Sequence, residues 1–133
     1  MSKRSDLEDK LDTVFSQFIR LNNADECGRI SCYCCYASIP WKQAEAMHYF
    51  GRSNTNTRWI PMNVHSGCHN CNVNLNGNLK VYARNLKKEY GDTAIDVLTT
   101  LKNTVAKFTN YEIEGMIIHY RNEVKKLRKE KGL

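Results

Sequence analysis

The sequence predicts an α+β fold, mainly helical, in which a zinc-stapled ββα core lies between N- and C-terminal helices. Three observations predict it. Two Cys-x-x-Cys pairs, Cys32/Cys35 and Cys68/Cys71, bracket the middle of a 133-residue chain. Apolar residues recur at helical spacing towards both ends. Between the cysteine pairs that period stops, and short, weakly alternating segments replace it.

Taken in order, Ser5-Asp-Leu-Glu8 reads as a capping box, in which hydroxyl and carboxylate satisfy free N–H groups. Leu7, Leu11, Val14, Phe15, Phe18 and Leu21 follow at helical spacing, which predicts a helix from Asp6 to Leu21, ending near Asn22-Asn23. Its apolar stripe must pack on something. Cys27 to Phe50 has no helical period and contains Pro40, so it reads as a zinc knuckle followed by a short strand or turn carrying Glu45 to Tyr49. Gly51 to Thr57 is a polar loop, and Trp59 to His65 reads as the second strand of a hairpin. Asn72 is expected to open a helix. Leu79, Tyr82, Ala83, Leu86 and Tyr90 share one helical face, with Gly91 placed to end it. Asp92-Thr-Ala-Ile-Asp caps a further helix through Ile95, Val97, Leu98 and Leu101. Thr109 and Glu112 form a second capping box, and Ile113, Met116, Ile117, Tyr120, Val124 and Leu127 carry the last helix to about Lys129. Its basic end, Lys125 to Lys131, is expected to fray. A chain this long predicts a single domain. Within it, residues 1–26 hold the N-terminal helix, 27–91 the zinc-bound core and 92–133 the C-terminal helices.

The net charge is +6 and the sequence pI about 9.0, which favours a polyanionic partner. The charge is concentrated. From Gly28 to Lys88 eight basic residues (Arg29, Lys42, Arg52, Arg58, Lys80, Arg84, Lys87, Lys88) face one carboxylate, Glu45, a segment net of +7. No apolar run approaches the length of a membrane span, and the N-terminal residues lack the apolar segment of a signal peptide. The expectation is therefore no membrane partner and a reducing cytoplasm, with cysteines as thiolates on metal rather than in disulfides.

Four thiolates are the ligand set of a closed tetrahedral zinc site, which places structural Zn²⁺ on Cys32, Cys35, Cys68 and Cys71. Cys27 and Cys34 are left over, and either could replace Cys32 if the knuckle uses another register. The spacer between the pairs is 32 residues, longer than a plain zinc ribbon needs, and it holds histidines and asparagines. The zinc thus looks like a clamp around a second site.

Hairpin, knuckles and helix together suggest a ββα-metal core. In such a core a His at the end of the first strand faces the start of the helix, so His48 would meet a metal held partly by Asn72. The matching chemistry is phosphodiester hydrolysis. A neutral imidazole can take a proton from water near pH 7, which suits His48 to general-base work. A hard cation, Mg²⁺ or Mn²⁺, would stabilise charge on the phosphate and prefers oxygen ligands, which Asn72 and Glu45 offer. An Asn from the second strand completes the HNH (His-Me finger) pattern. Asn63 fits, its amide fixing the loop that aims His48. His65 is a further candidate for this metal or for a phosphate contact. His69, inside a cysteine pair, reads as knuckle surface. Arg52 and Arg58 suit bidentate phosphate contacts, and Lys80, Arg84, Lys87 and Lys88 extend the candidate DNA-binding set.

The motifs Cys32/Cys35, His48-Tyr49-Phe50-Gly51-Arg52, Arg58 to Asn72 (Arg-x-x-x-x-Asn-Val-His-x-x-Cys-x-x-Cys-Asn) and Gly77-Asn78-Leu79 resemble the phage NinG (Rap) recombination endonucleases. The resemblance continues through Tyr82 to Leu86 and Tyr90-Gly91, through Val14 to Arg20, and into the last helix. It implies a structure-selective endonuclease acting on branched recombination intermediates, Holliday junctions and D-loops, in the host cell cytoplasm. The core is also similar to that of phage endonuclease VII, where a Cys-x-x-Cys pair precedes a metal-binding Asn and a strand His serves catalysis. One departure stands out. Many HNH nucleases place Asp or His directly before the catalytic His, whereas this chain has Met47, a poor ligand for Mg²⁺.

The expectation is a Mg²⁺- or Mn²⁺-dependent nuclease of branched DNA. Two other readings stay open: a non-catalytic zinc-ribbon nucleic-acid-binding protein, and an HNH nuclease of other specificity. A homodimer is also expected. A four-way junction has near two-fold symmetry, and the apolar stripes of the first and last helices exceed what a small zinc-centred core would cover.

Overall fold

The computed structural model describes residues 2–104 and 107–133. The fold is α+β and mainly helical. Helix α1 (Lys3–Asn23) leads into a small hairpin, β1 (Arg29–Ser31) and β2 (Ser38–Pro40). A second hairpin follows, β3 (Glu45–His48) and β4 (Val64–Gly67), both antiparallel pairs. Between β3 and β4 lie a short helix α2 (Thr55–Arg58) and a 3₁₀ turn (Pro61–Asn63). Beyond β4 come a π-helical turn (Asn70–Asn74) and helices α3 (Leu79–Tyr90), α4 (Ala94–Lys102) and α5 (Asn110–Lys131).

Helix α1 begins three residues earlier than its sequence suggests. The Ser2 side chain caps it by accepting the Ser5 N–H at 3.1 Å, so Ser5 and Glu8 lie inside the helix rather than at its start. The stripe of α1 then packs on α5. Leu7, Leu11, Val14, Phe15 and Ile19 form one core with Ile113, Ile117, Trp59 and Val64. Each such fully buried side chain stabilises the fold by about 1.5–3 kcal/mol. The two stripes expected to be left over for a second copy therefore cover each other within one chain. At the start of α5 the expected capping box is present: Glu112 N donates to Thr109 Oγ1 and Thr109 N to Glu112 Oε1, both at 3.1 Å.

The basic end of α5 is tied down rather than frayed. Lys131 Nζ donates to the carbonyls of Leu21 (2.7 Å), Asn22 (3.1 Å) and Ala24 (2.7 Å) at the C-terminus of α1. Orphan carbonyls and the negative end of the helix dipole both favour a cation there. Leu127 and Leu133 pack beside it on the Leu21, Ile30 and Trp41 cluster.

Strand alternation in the second hairpin decides what faces where. Ala46 and Val64 pack against the α1 side, and Ser66 Oγ reaches Asn23 Oδ1 at 2.8 Å. Met47, paired with His65 across the ladder, points into the opposite cluster of Tyr82, Leu86, Ala94 and Leu98. Gly67 lies over Met47, and a Cβ there would come within 2.7 Å of the Met47 sulfur. The strand itself starts at Val64, not Trp59, because Thr55 to Asn63 is taken up by the two short helical turns.

A thiol cluster and a candidate hydrolytic cleft

The two cysteine pairs are presented by two different turns. Cys32 to Cys35 fill the bend between β1 and β2, closed by Cys32 N to Ala37 O (2.8 Å) and Tyr36 N to Cys32 O (2.9 Å). Cys68 and Cys71 follow β4, where Asn72 N donates to Cys68 O at 3.0 Å. All four sulfurs lie within 4.8 Å of one another. Cys34 turns away, its sulfur 3.9 Å from Gly77 O, and Cys27 is exposed, so the register is Cys32, Cys35, Cys68 and Cys71. Backbone N–H groups point at the sulfurs: Cys68 N at Cys32 Sγ and Cys71 N at Cys68 Sγ, each at 3.4 Å. Burial pushes the Cys32 thiol up, but the N–H groups of Cys35, Cys68 and Cys34 outweigh it and hold it at about 7. Converging thiols with thiolate-stabilising donors fit a structural zinc ion.

Beside this cluster a cleft of about 530 Å³ opens between α1 and β3. Asp12, Phe15, Ser16 and Arg20 form its α1 wall; Glu45, Ala46, His48, Arg52 and Asn72 line the rest. His48 reaches it because alternation turns β3 positions 46 and 48 towards α1. Its Nε2 lies 3.0 Å from Arg58 O. A carbonyl only accepts, so Nε2 carries the proton and the neutral ring keeps its lone pair at Nδ1. Burial lowers the His48 pKa from its ordinary value, opposed by the Arg58 carbonyl bond and by the Asp12 charge. The imidazole is thus neutral at pH 7 and able to accept a proton.

Asn63 sits behind this arrangement, fully buried. Phe50 N donates to its Oδ1 at 2.9 Å, and its Nδ2 donates to Phe50 O (3.0 Å) and Thr57 O (3.1 Å). It ties the segment after β3 to the segment before β4, which holds Arg58 O over His48. At the other end of β3, Asn72 Nδ2 donates to Glu45 Oε1 at 2.8 Å, and His69 Nδ1 lies 2.7 Å from Glu45 Oε2. Partial burial opposes the Glu45 charge, but the Asn72 and His69 contacts outweigh it and hold the carboxyl below its usual range. An ionised carboxylate and an amide oxygen on one rim are a donor set that suits a hard divalent cation. Asn72 does not open a helix: it lies in the π-helical turn, and the left-handed Asn76, Gly77 and Asn78 separate it from α3.

His65 does not join this cleft. It lies on the opposite face of the hairpin, with Nδ1 2.9 Å from Tyr82 Oη and Nε2 2.9 Å from Tyr90 Oη. Tyr82 donates to Met47 O at 2.7 Å, and Tyr33 stacks on the imidazole at 3.9 Å. Burial pushes the His65 pKa down to about 4. Both ring nitrogens are engaged, so the expected metal or phosphate role is replaced by a structural one. Met47, too, points away from the cleft.

Arg58 is likewise turned inward. Its Nε donates to Asp12 Oδ1 at 3.0 Å and its Nη1 to Glu8 Oε2 at 3.3 Å, with the side chain 15 % exposed. Its expected phosphate contact gives way to an ion pair that anchors α2 to α1. Arg52 is open, 65 % exposed, with Nη1 3.5 Å from Asp12 Oδ2. Lys80, Arg84, Lys87 and Lys88 are exposed along α3 and line a shallow depression with Ala83 and Asp92. The α1 wall was missed from sequence. Glu8, Asp12, Ser16 and Arg20 recur every four residues, a polar stripe beside the apolar one that could have revealed it.

Among the described residues, no helix is long and apolar enough to cross a membrane. Comparison with curated proteins and with solved structures gave no match. The family model described as Bacteriophage Lambda NinG protein matches residues 1–130. With almost its whole length matched, the chain belongs to the NinG family of phage proteins.

Proposed function

We propose that this protein is a metal-dependent endodeoxyribonuclease with a ββα-metal core of the HNH (His-Me finger) type, cutting branched recombination intermediates such as Holliday junctions. The observation that carries the reading is the convergence of His48, Glu45 and Asn72 on one cleft beside a four-thiol cluster. His48 Nδ1 takes the proton of the attacking water, while the Arg58 carbonyl holds Nε2–H and stabilises the imidazolium that forms. Asn63 keeps that carbonyl in place. Glu45 and Asn72 would hold Mg²⁺ or Mn²⁺, which when bound supplies charge stabilisation for the phosphate and leaving oxygen. Zinc on the cysteines would tie the β1–β2 bend to the turn that follows β4 and carries Asn72.

Arg52 and the exposed bases of α3 supply sequence-independent affinity for DNA phosphates. With about five such contacts, affinity falls by roughly 10²–10³-fold between 50 and 200 mM salt. Two matched cuts on a two-fold substrate need two active centres, so the proposed assembly on a junction is a homodimer. Light scattering with and without junction DNA tests this: a 1:1 complex that cuts both strands together would contradict it.

The test of the function is cleavage of a four-way junction beside a linear duplex, with and without added Mg²⁺ or Mn²⁺. Junction cutting that needs the divalent ion is the expected result. Binding without cleavage points to a zinc-ribbon binder, and equal cutting of the linear duplex to an HNH nuclease of other specificity.

A further inference from the structure

Two arginines line the cleft, and they differ in their partners. Arg52 lies beside Asp12. Arg20 has no carboxylate within ion-pair distance among the described residues. Its Nε donates to Ser16 O (3.2 Å) and Ser16 Oγ (3.1 Å), and its Nη1 to Trp41 O (3.1 Å). The guanidinium carbon sits 5.5 Å from the Trp41 ring centroid. Every acceptor is neutral, and among the described residues Nη2 donates to no protein group. Burial acts against the charge, lowering the Arg20 pKa with nothing opposing it. A half-buried cation without a counter-charge is unfavourable in the free protein. The same three hydrogen bonds hold the fork in one orientation, ready for an anion.

We infer that Arg20 is a phosphate-binding residue of the cleft, its free guanidinium edge receiving non-bridging oxygens of the DNA phosphodiester presented to His48. Guanidinium geometry matches phosphate in a bidentate manner, which lysine cannot reproduce. Arg20 stands on the α1 wall and His48 on the β3 wall of the same cleft, so a phosphate between them is held from both sides. The inference rests on the nucleic-acid reading of that cleft, and it assigns to α1 a part in the site beyond packing.

The test compares wild type, Arg20→Gln and Arg20→Lys, each zinc-loaded and without added Mg²⁺ or Mn²⁺, for binding a four-way junction oligonucleotide across 50–200 mM salt, with melting temperature measured alongside. Arg20→Gln should weaken binding on the order of ten-fold and reduce the salt slope by about one. Arg20→Lys should keep the slope and still lose affinity. A purely structural arginine would lower the melting temperature while leaving slope and affinity unchanged, which would overturn the inference. If Arg20→Gln fails to fold, Arg20→Lys decides alone, since unchanged affinity there contradicts a guanidinium clamp. Because binding is read without added Mg²⁺ or Mn²⁺, the two proposals separate. A wild type that binds through Arg20 yet never cuts supports the clamp and removes the nuclease reading. A wild type that cuts, with Arg20→Gln binding normally, removes only the clamp.

Discussion

Asn63 and Phe50 exchange two hydrogen bonds, Phe50 N to Asn63 Oδ1 at 2.9 Å and Asn63 Nδ2 to Phe50 O at 3.0 Å. With the third bond, to Thr57 O at 3.1 Å, one buried amide fastens both ends of the excursion between β3 and β4. Arg58, whose carbonyl orients His48, lies on that excursion.

Asn63→Ala leaves the Phe50 N–H and two carbonyls without this partner. Thr57 O keeps the Ile60 N–H at 3.3 Å, so two groups are left unsatisfied; at about 1–3 kcal/mol each, a destabilisation of roughly 2–6 kcal/mol is expected in urea unfolding. Cleavage should fall even below the unfolding transition, because His48 loses its oriented carbonyl. Unchanged stability would contradict the role assigned to the amide.

Zinc should be present at one ion per chain. Structural zinc contributes on the order of 10 kcal/mol of binding free energy in zinc-finger peptides, and its ligands must be thiolates. Chelation, Cys71→Ser or acid should therefore unfold the middle of the chain. Elemental analysis that finds folded protein free of zinc would remove the claim.

Asn72→Ala and Glu45→Gln should each lower cleavage and raise the divalent-ion concentration needed for half-maximal rate, with Mn²⁺ partly restoring activity. The comparison is a metal titration at fixed junction concentration. An unshifted titration in both variants would take the catalytic ion away from this rim.

Acid stability carries the signature of His65. Its pKa is about 4 in the folded chain against about 6.5 in a free peptide. The unfolded state thus binds more protons between these values, and stability rises with pH across that window. Its contribution, about 3 kcal/mol, is present above pH 6.5 and is lost as pH falls towards 4. Thiolate protonation loosens zinc in the same range, so the readout is the difference between wild type and His65→Phe in urea midpoints from pH 4.5 to 7.5. Parallel curves would mean that His65 does not titrate on unfolding.

The sequence carried the parts of this fold that depend on local spacing. Cys-x-x-Cys pairs, helical stripes and the Thr109–Glu112 box are each decided within a few residues, and each stands in the structure. What it could not show are relations made by tertiary contact. Arg58 reads as a free base until Asp12 and Glu8 arrive from α1. His65 reads as a ligand until Tyr82 and Tyr90 close on it from α3. The β1–β2 hairpin escaped because three residues are too few for alternation to stand out, and α3 was displaced from Asn72 by three consecutive left-handed residues. Nothing local marks Arg20 and Asp12 as site residues, since the sequence does not say that β3 packs near enough to α1 to make a cleft.

The base role proposed for His48 is the point on which cleavage of a junction turns. It is tested most directly by single-turnover cleavage of a four-way junction in Mg²⁺ by wild type and His48→Ala, with binding measured on the same substrate. Wild type should cut, and His48→Ala should lose about 10²–10⁴-fold in rate while holding the junction with nearly unchanged affinity. Near-normal cleavage by His48→Ala, or a wild type that binds the junction and leaves it whole, would contradict it.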